Sequence, residues 1–316
     1  MRTMARGWSV RRQQIARVAV RAGVGALQAA APPAAGAVAE RLWFRPPRLP
    51  AEVRDRHGPV PASADQITVR LGDRDLHGFT LGEGPPALLV HGWGGWAGQF
   101  GALGGALADA GFTASALDLP GHGRDRVRRS DLFQMAAALR GLADLQGAPS
   151  LVVSHSLGAM AAVLAFDDPP PPAAVFIAPA LSTAPALSGF STLLGLRPVT
   201  TRDLEARLRR FVGDAWPRIN QGAALEWPHG PLLVAHDRQD PQTPFATSAA
   251  LAARRGDTDL LVAVGTGHHR VVRDAAVVAA IVDFARRRAG GHAGGENVRN
   301  AAGLDTMIRS SRSSPP

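Results

Sequence analysis

A chain of 316 residues, 46% hydrophobic and 19% charged, is long enough for one large α/β domain, or two small ones, around a sizeable core. It has no cysteine, which excludes a disulfide framework and a thiolate metal site and fits a reducing, cytoplasmic location. The net charge of +9 does not make a nucleic-acid surface: residues 1–50 hold nine Arg against Glu40 alone, residues 290–316 hold three Arg against two acids, and the body between them balances 23 Arg against 23 acids.

Residues 1–60 read as a basic, Ala- and Arg-rich segment, partly helical or disordered. Its first part is basic and its second Ala/Val-rich, with Arg21, Gly23 and Gly25 interrupting the apolar stretch. No run of about 18 clean apolar residues occurs here or elsewhere, which argues against a spanning helix. A loosely attached N-terminal helix is the leading reading. The alternatives are an interfacial helix making weak membrane-surface contact, and a secretory signal ending near Ala37–Ala39, that is, membrane association or export.

The body, 61–289, alternates strands and helices. ITVRL (Ile67–Leu71) and DLHGFTL (Asp75–Leu81) are alternating strands around a Gly-Asp turn. PALLV is a short buried strand, followed by a helix ending at Gly111. TASAL is a strand, and DLFQMAAALRGLADLQ a helix with Asp131 near its start. LVVSHS and AAVFIAPA are strands separated by the helix LGAMAAVLAF. PLLVAHD and DLLVAVG are buried strands around a helix at Ala249–Arg255, and RDAAVVAAIVDFARRRA is a closing helix with Arg in its last turn. Buried strands alternating with helices predict a mostly parallel sheet covered on both faces. One interval, about 181–229, lacks a buried strand and reads as two or three short helices, a small cap inserted over the sheet edge. Residues 290–316 are rich in Gly, Ser and Pro and are expected to be disordered.

In an open parallel sheet, chemistry gathers beyond the carboxyl ends of the strands. After PALLV comes His91-Gly92-Trp93-Gly94-Gly95, where glycines let the backbone turn the Trp93 N–H toward a reacting carbonyl. After TASAL comes DLPGHG, a tight turn in which His122 has a structural part. After LVV, Ser156 stands between a strand and a helix, with Leu157 offering an N–H at the helix N-terminus. The nucleophile-turn pattern is G-x-S-x-G; here Gly158 is present and Ser154 takes the first glycine's place. After PLLVAHD, the turn RQDPQTPF offers Asp237 and Asp240, of which Asp240, fixed by two prolines, is favoured. After DLLVAVG, a glycine-flanked loop offers His268 and His269, with His268 favoured. The histidines 91, 122 and 155 lack metal-like spacing, so no metal site is expected.

VHGWGG, DLPGHG, SHSLG, HDRQDPQTPF and GTGHHR, in this order on an alternating pattern, resemble the α/β-hydrolase fold family of the capped serine-hydrolase type, over about Ile67 to Ala289. The resemblance implies a Ser156, Asp240, His268 triad, an oxyanion hole from the Trp93 and Leu157 N–H groups, no cofactor, and a small-molecule acyl substrate. It implies hydrolysis of a carboxylic ester or thioester through an acyl-enzyme. The apolar cap stretch ALSGFSTLLGL leans toward apolar acyl groups. The alternatives are other chemistry on the same triad (perhydrolase or haloperoxidase, C–C hydrolase, acyltransferase) and a non-catalytic binding member. Oligomeric state is left open. Ser154, and Asp237 in place of a common glycine, are departures from the family pattern.

Overall fold

The computed structural model describes residues 18–221, 227 and 230–288. The tail at 290–316, for which disorder is expected, lies outside the described residues, as do residues 1–17.

Two helices, α1 (18–30) and α2 (Pro32–Trp43), come first, followed by the short α3 (Ala51–His57). A hairpin, β1 (Asp65–Leu71) and β2 (Arg74–Leu81), precedes the alternating part. That part runs β3 (Pro86–Val90), α4 (Gly101–Asp109), β4 (Thr113–Leu117), α5 (Leu132–Gln146), β5 (Leu151–His155), α6 (Leu157–Ala165) and β6 (Ala173–Ile177). The inserted helices are α7 (Ala184–Leu194), α8 (Pro198–Val212) and α9 (Trp216–Gln221). β7 (Leu232–Asp237), α10 (Phe245–Arg254), β8 (Thr258–Ala263), α11 (Gly267–Arg270) and α12 (Ala275–Arg288) complete the order. Asp131 caps α5, its carboxylate accepting the Gln134 N–H at 2.9 Å.

The chain divides into two compact units. The sheet unit comprises Pro46–Leu181 and Gly222–Pro316 and holds an eight-stranded sheet in the order β1-β2-β4-β3-β5-β6-β7-β8. β1 and β2 pair antiparallel, as do β2 and β4; β4 through β8 pair parallel. Successive strand residues feed two separate cores. Leu89, Leu151, Val153, Val175 and Ile177 join Phe100, just before α4, Leu103 from α4 and Phe284 from α12 on one face. Leu88, Val90, Val152 and Phe176 join Met135, Leu139 and Val163 from α5 and α6 on the other. These strands are therefore apolar on both faces over most of their length, because each face has helices to bury against. β8 departs from this rule. DLLVAVG reads as a buried strand, but it lies at the sheet edge, mostly half-buried, and Val264 just beyond it is 82% exposed.

β4 and β5 lie on opposite sides of β3, so the sheet order reverses there. The loops leaving β3 and β5 diverge at such a reversal and open a crevice at the carboxyl edge.

The helical unit comprises Met1–Arg45 and Ser182–Gln221. α2 packs along α8 over Ala39, Phe44, Leu204 and Leu208, and the Trp43 ring meets Phe190 edge-on at 5.2 Å. The Gln28 amide joins α1 to the α7–α8 turn, accepting the Arg197 N–H at 2.7 Å and donating to the Gly195 carbonyl at 3.1 Å. The sequence separates a segment at 1–60 from one at about 181–229; the grouping of Met1–Arg45 with Ser182–Gln221 has no local signal, since it rests on contacts between distant stretches. Among the described residues, no helix is long and apolar enough to cross a membrane.

Candidate active site

Ser156 sits between β5 and α6 with φ +54° and ψ −124°. A non-glycine residue at positive φ is held there at a cost of order 1–3 kcal/mol, so the surroundings must enforce it. They do so by hydrogen bonds: the Ser156 N–H donates to the Ile177 carbonyl at 3.0 Å, and its carbonyl accepts the Ala180 N–H at 3.1 Å. Packing also demands the turn. A Cβ on Gly158 would meet the Val90 carbonyl oxygen at 2.6 Å, so α6 can approach β3 this closely only with glycine there. Position 154 has room. The Ser154 side chain is buried, and its hydroxyl donates to the Val175 carbonyl at 3.3 Å. The small-for-small exchange therefore leaves no polar group stranded.

His268 lies in the short helix α11 after β8, 6% exposed, and joins the serine to an acid. Its Nε2 is 3.0 Å from Ser156 Oγ, and its Nδ1 is 2.7 Å from Asp240 Oδ2. Facing a carboxylate, Nδ1 carries the proton; the neutral ring then presents Nε2 as acceptor to the Ser156 hydroxyl. Asp240 is sealed from solvent at its side chain. Its Oδ1 accepts the Gln242 and Thr243 N–H groups at 2.7 and 3.1 Å, and its Oδ2 accepts the Thr243 hydroxyl at 2.9 Å. His236 Nε2 stands 3.3 Å from the same Oδ2. Burial alone would raise this carboxyl, but the hydrogen bonds from His236, His268, Gln242 and Thr243 prevail and hold it below the usual carboxylate range.

Asp237 does not touch the His268 ring. Its Oδ1 accepts the Gln239 N–H at 2.8 Å, and its Oδ2 accepts the Thr266 hydroxyl at 3.0 Å and the Gly267 N–H at 2.6 Å. The Gln239, Gly267 and Thr266 hydrogen bonds lower its pKa. His269 Nε2 contacts the Gln242 side chain at 2.9 Å, away from Ser156. Of the two acids and two histidines offered by the sequence, Asp240 and His268 are the pair brought together with Ser156.

The glycine loop after β3 packs on this turn. A Cβ on Gly92 would stand 2.8 Å from Ser156 Cβ and 3.3 Å from Leu157 N. The backbone entering Trp93 therefore runs against the Ser156–Leu157 peptide, and Leu157 opens α6. Two buried histidines brace the neighbouring loops. His91 Nδ1 donates to its neighbour's carbonyl, that of Gly92, at 2.8 Å, and Nε2 accepts the Leu119 N–H at 3.0 Å. His122 Nδ1 donates to Pro120 at 2.8 Å, and the ring packs edge-on against Trp93 at 5.1 Å. Burial lowers both, His122 to about 3, so both are neutral braces.

Three contributors carry weak sequence signals. His236 and Thr243 lie against Asp240, and His155 donates from Nε2 to the His268 carbonyl at 2.8 Å. His236 and His155 read as strand positions, and only the fold brings them to the loops. Among the described residues, no group of three His, Cys, Asp or Glu could hold a metal ion.

Comparisons with known proteins agree with this architecture. A family model described as serine aminopeptidase, S33, matches residues 87–227, and one described as TAP-like protein matches 209–288. A search of curated proteins finds no match. Among solved structures, Est1E from Butyrivibrio proteoclasticus aligns at 15% identity and TM-score 0.54, over 71% of this chain and 98% of that one. An α/β hydrolase fold protein from Burkholderia ambifaria aligns at 20% identity and TM-score 0.55, over 72% and 100%. An esterase from Pyrococcus furiosus aligns at 16% identity and TM-score 0.55, over 78% and 98%. With the reversal at β3, the strand-to-helix turn at Ser156 and these matches, the chain has the α/β-hydrolase fold.

Proposed function

We propose that the protein is a serine hydrolase that cleaves a carboxylic ester or thioester of a small to medium acyl group. The observation that carries this is the hydrogen-bonded chain from Ser156 Oγ through the His268 ring to Asp240, with Ser156 held at positive φ at the strand-to-helix turn. His268 takes the Ser156 proton as the hydroxyl attacks the acyl carbonyl, and Asp240 orients the ring and stabilises the imidazolium. The Trp93 and Leu157 N–H groups receive the oxyanion. His268 then protonates the departing alcohol or thiol, and water releases the acid through a second tetrahedral intermediate. The likeness to a protein named an esterase supports the ester reading.

A fluorophosphonate probe tests the nucleophile. The wild-type protein is expected to label at Ser156, and Ser156→Ala to resist labelling. No labelling of the wild type, or equal labelling of Ser156→Ala, overturns the assignment. A p-nitrophenyl ester series of increasing chain length, run beside an aminoacyl anilide, tests the substrate class. Faster turnover of the anilide would replace the ester reading with an aminopeptidase one.

A further inference from the structure

The turn that leads from β8 to His268 has open space around its two glycines. Gly265 and Gly267 flank it at φ +72° and +63°, and a Cβ at either would meet nothing within 4 Å. Val264 before it is 82% exposed. The loop's own Arg270 bonds back to the Thr266 and Gly265 carbonyls at 3.0 and 2.8 Å, which stiffens it but does not anchor it elsewhere. Its anchors to the sheet come from two buried side chains with no bond to the Ser156 hydroxyl. From β7, the Asp237 carboxylate grips the Thr266 hydroxyl and the Gly267 N–H. From β5, His155 Nε2 donates to the His268 carbonyl at 2.8 Å. The two grips fall on the Thr266–Gly267 peptide before His268 and on the His268–His269 peptide after it, so together they bracket the residue whose ring reaches Ser156.

We propose that Asp237 and His155 are positioning residues that hold His268 for proton exchange with Ser156, an inference that rests on the roles of those two residues given above. The arrangement is specific in two ways. Asp237 has three donors on two oxygens, so no neutral side chain of the same shape satisfies all of them: an amide would turn its NH2 toward at least one N–H or O–H. His155 sits one residue before Ser156, so the turn that presents the nucleophile also grips the base. Its ring lies 4.8 Å from the His268 ring, and burial keeps it neutral, lowered to about 3, so it adds no charge against the imidazolium that forms beside it. Asp240 and His269 are the other titratable groups facing it.

The test uses the full chain with Asp237→Ala, Asp237→Asn, His155→Leu and His155→Gln. Its readouts are the kcat and KM of p-nitrophenyl ester hydrolysis, the rate of fluorophosphonate inactivation, and the thermal midpoint. A displacement of about 1 Å at a reacting group costs about 10²-fold in rate. Asp237→Ala and His155→Leu are therefore expected to lower kcat and the inactivation rate by about 10- to 100-fold with KM little changed. Asp237→Asn should fall between Ala and the wild type, which keeps the test informative if the alanine variant does not fold. His155→Gln, whose Nε2–H can reach the same carbonyl, should recover most of the loss. Folded Asp237 and His155→Leu variants with wild-type kcat would overturn the proposal, as would His155→Gln performing no better than His155→Leu. Ser156→Ala separates the two levels: if it keeps activity and labelling, the nucleophile reading fails; if it loses both while the positioning variants do not, only the positioning proposal fails.

Discussion

Acidification from pH 7 to pH 5 will destabilise the sheet unit through its buried imidazoles. His122 and His155 are lowered to about 3, chiefly by burial; His91 and Arg48 lower His122 further, while His268 and His269 lower His155 and Asp240 raises it. In the unfolded chain each returns to about 6.5, so between the two values the unfolded state binds the extra proton. The stability that each neutral ring contributes is complete above the unfolded value and is lost as pH falls toward the folded one, at about 1.4 kcal/mol per pH unit. At pH 5 that is about 2 kcal/mol for each ring and about 4 for the pair, against a usual total of about 5–15 kcal/mol. Asp237 and Asp240 are depressed carboxyls, so their contribution is lost only below about pH 4 and does not enter this window. Urea unfolding at pH 7, 6 and 5 measures the loss as a falling midpoint at constant slope. His155→Gln and His122→Asn, which cannot titrate but keep a donor in place, should each flatten the profile by about 2 kcal/mol. A midpoint that does not move between pH 7 and 5, or variants with the wild-type pH dependence, would refute the reasoning.

Gly92→Ala places a methyl 2.8 Å from Ser156 Cβ and 2.9 Å from the His155 carbonyl oxygen, so the β3 loop must retreat from the turn. The expected result is a folded protein whose kcat for ester hydrolysis falls by about 10²–10³, the usual effect of losing one oxyanion donor; an unimpaired kcat would remove Trp93 from that role. Ser154→Gly deletes one long hydrogen bond and should cost about 1 kcal/mol in unfolding free energy, with kcat near that of the wild type. A kcat loss beyond tenfold would mean that the hydroxyl shapes the turn.

The strands were legible because each side of the sheet is covered, which leaves short apolar runs such as PALLV, LVV and AAVFI. The strand-end rule then pointed to the loops, and Ser156, Asp240 and His268 do come together. Elsewhere the sequence failed where contacts are non-local. DLLVA has the composition of a buried strand, and nothing in it says that no strand follows on its outer side. The helices before Arg45 look weakly attached, because Ala39 and Phe44 find Leu204 and Leu208 only in the fold.

The two aspartates after β7 show why position along a turn does not assign a carboxylate its work. Both stand at the strand end and both are depressed by donated hydrogen bonds, so proximity and charge do not separate them. Their partners do. Asp237 turns its oxygens to Gln239, Thr266 and Gly267, which are backbone and loop groups, and neither meets an imidazole. Asp240 has its Oδ1 filled by the Gln242 and Thr243 N–H groups, which fixes the carboxylate plane and aims Oδ2 at His268 Nδ1. A glycine at position 237, as the resemblance leads one to expect, would leave the Thr266 hydroxyl and the Gly267 N–H without this acceptor. On the positioning proposal, Asp237 therefore supplies in a side chain an anchor for this open, two-glycine turn, and Asp240→Asn and Asp237→Asn should fail differently: the first by disturbing the tautomer of His268, the second by loosening its backbone.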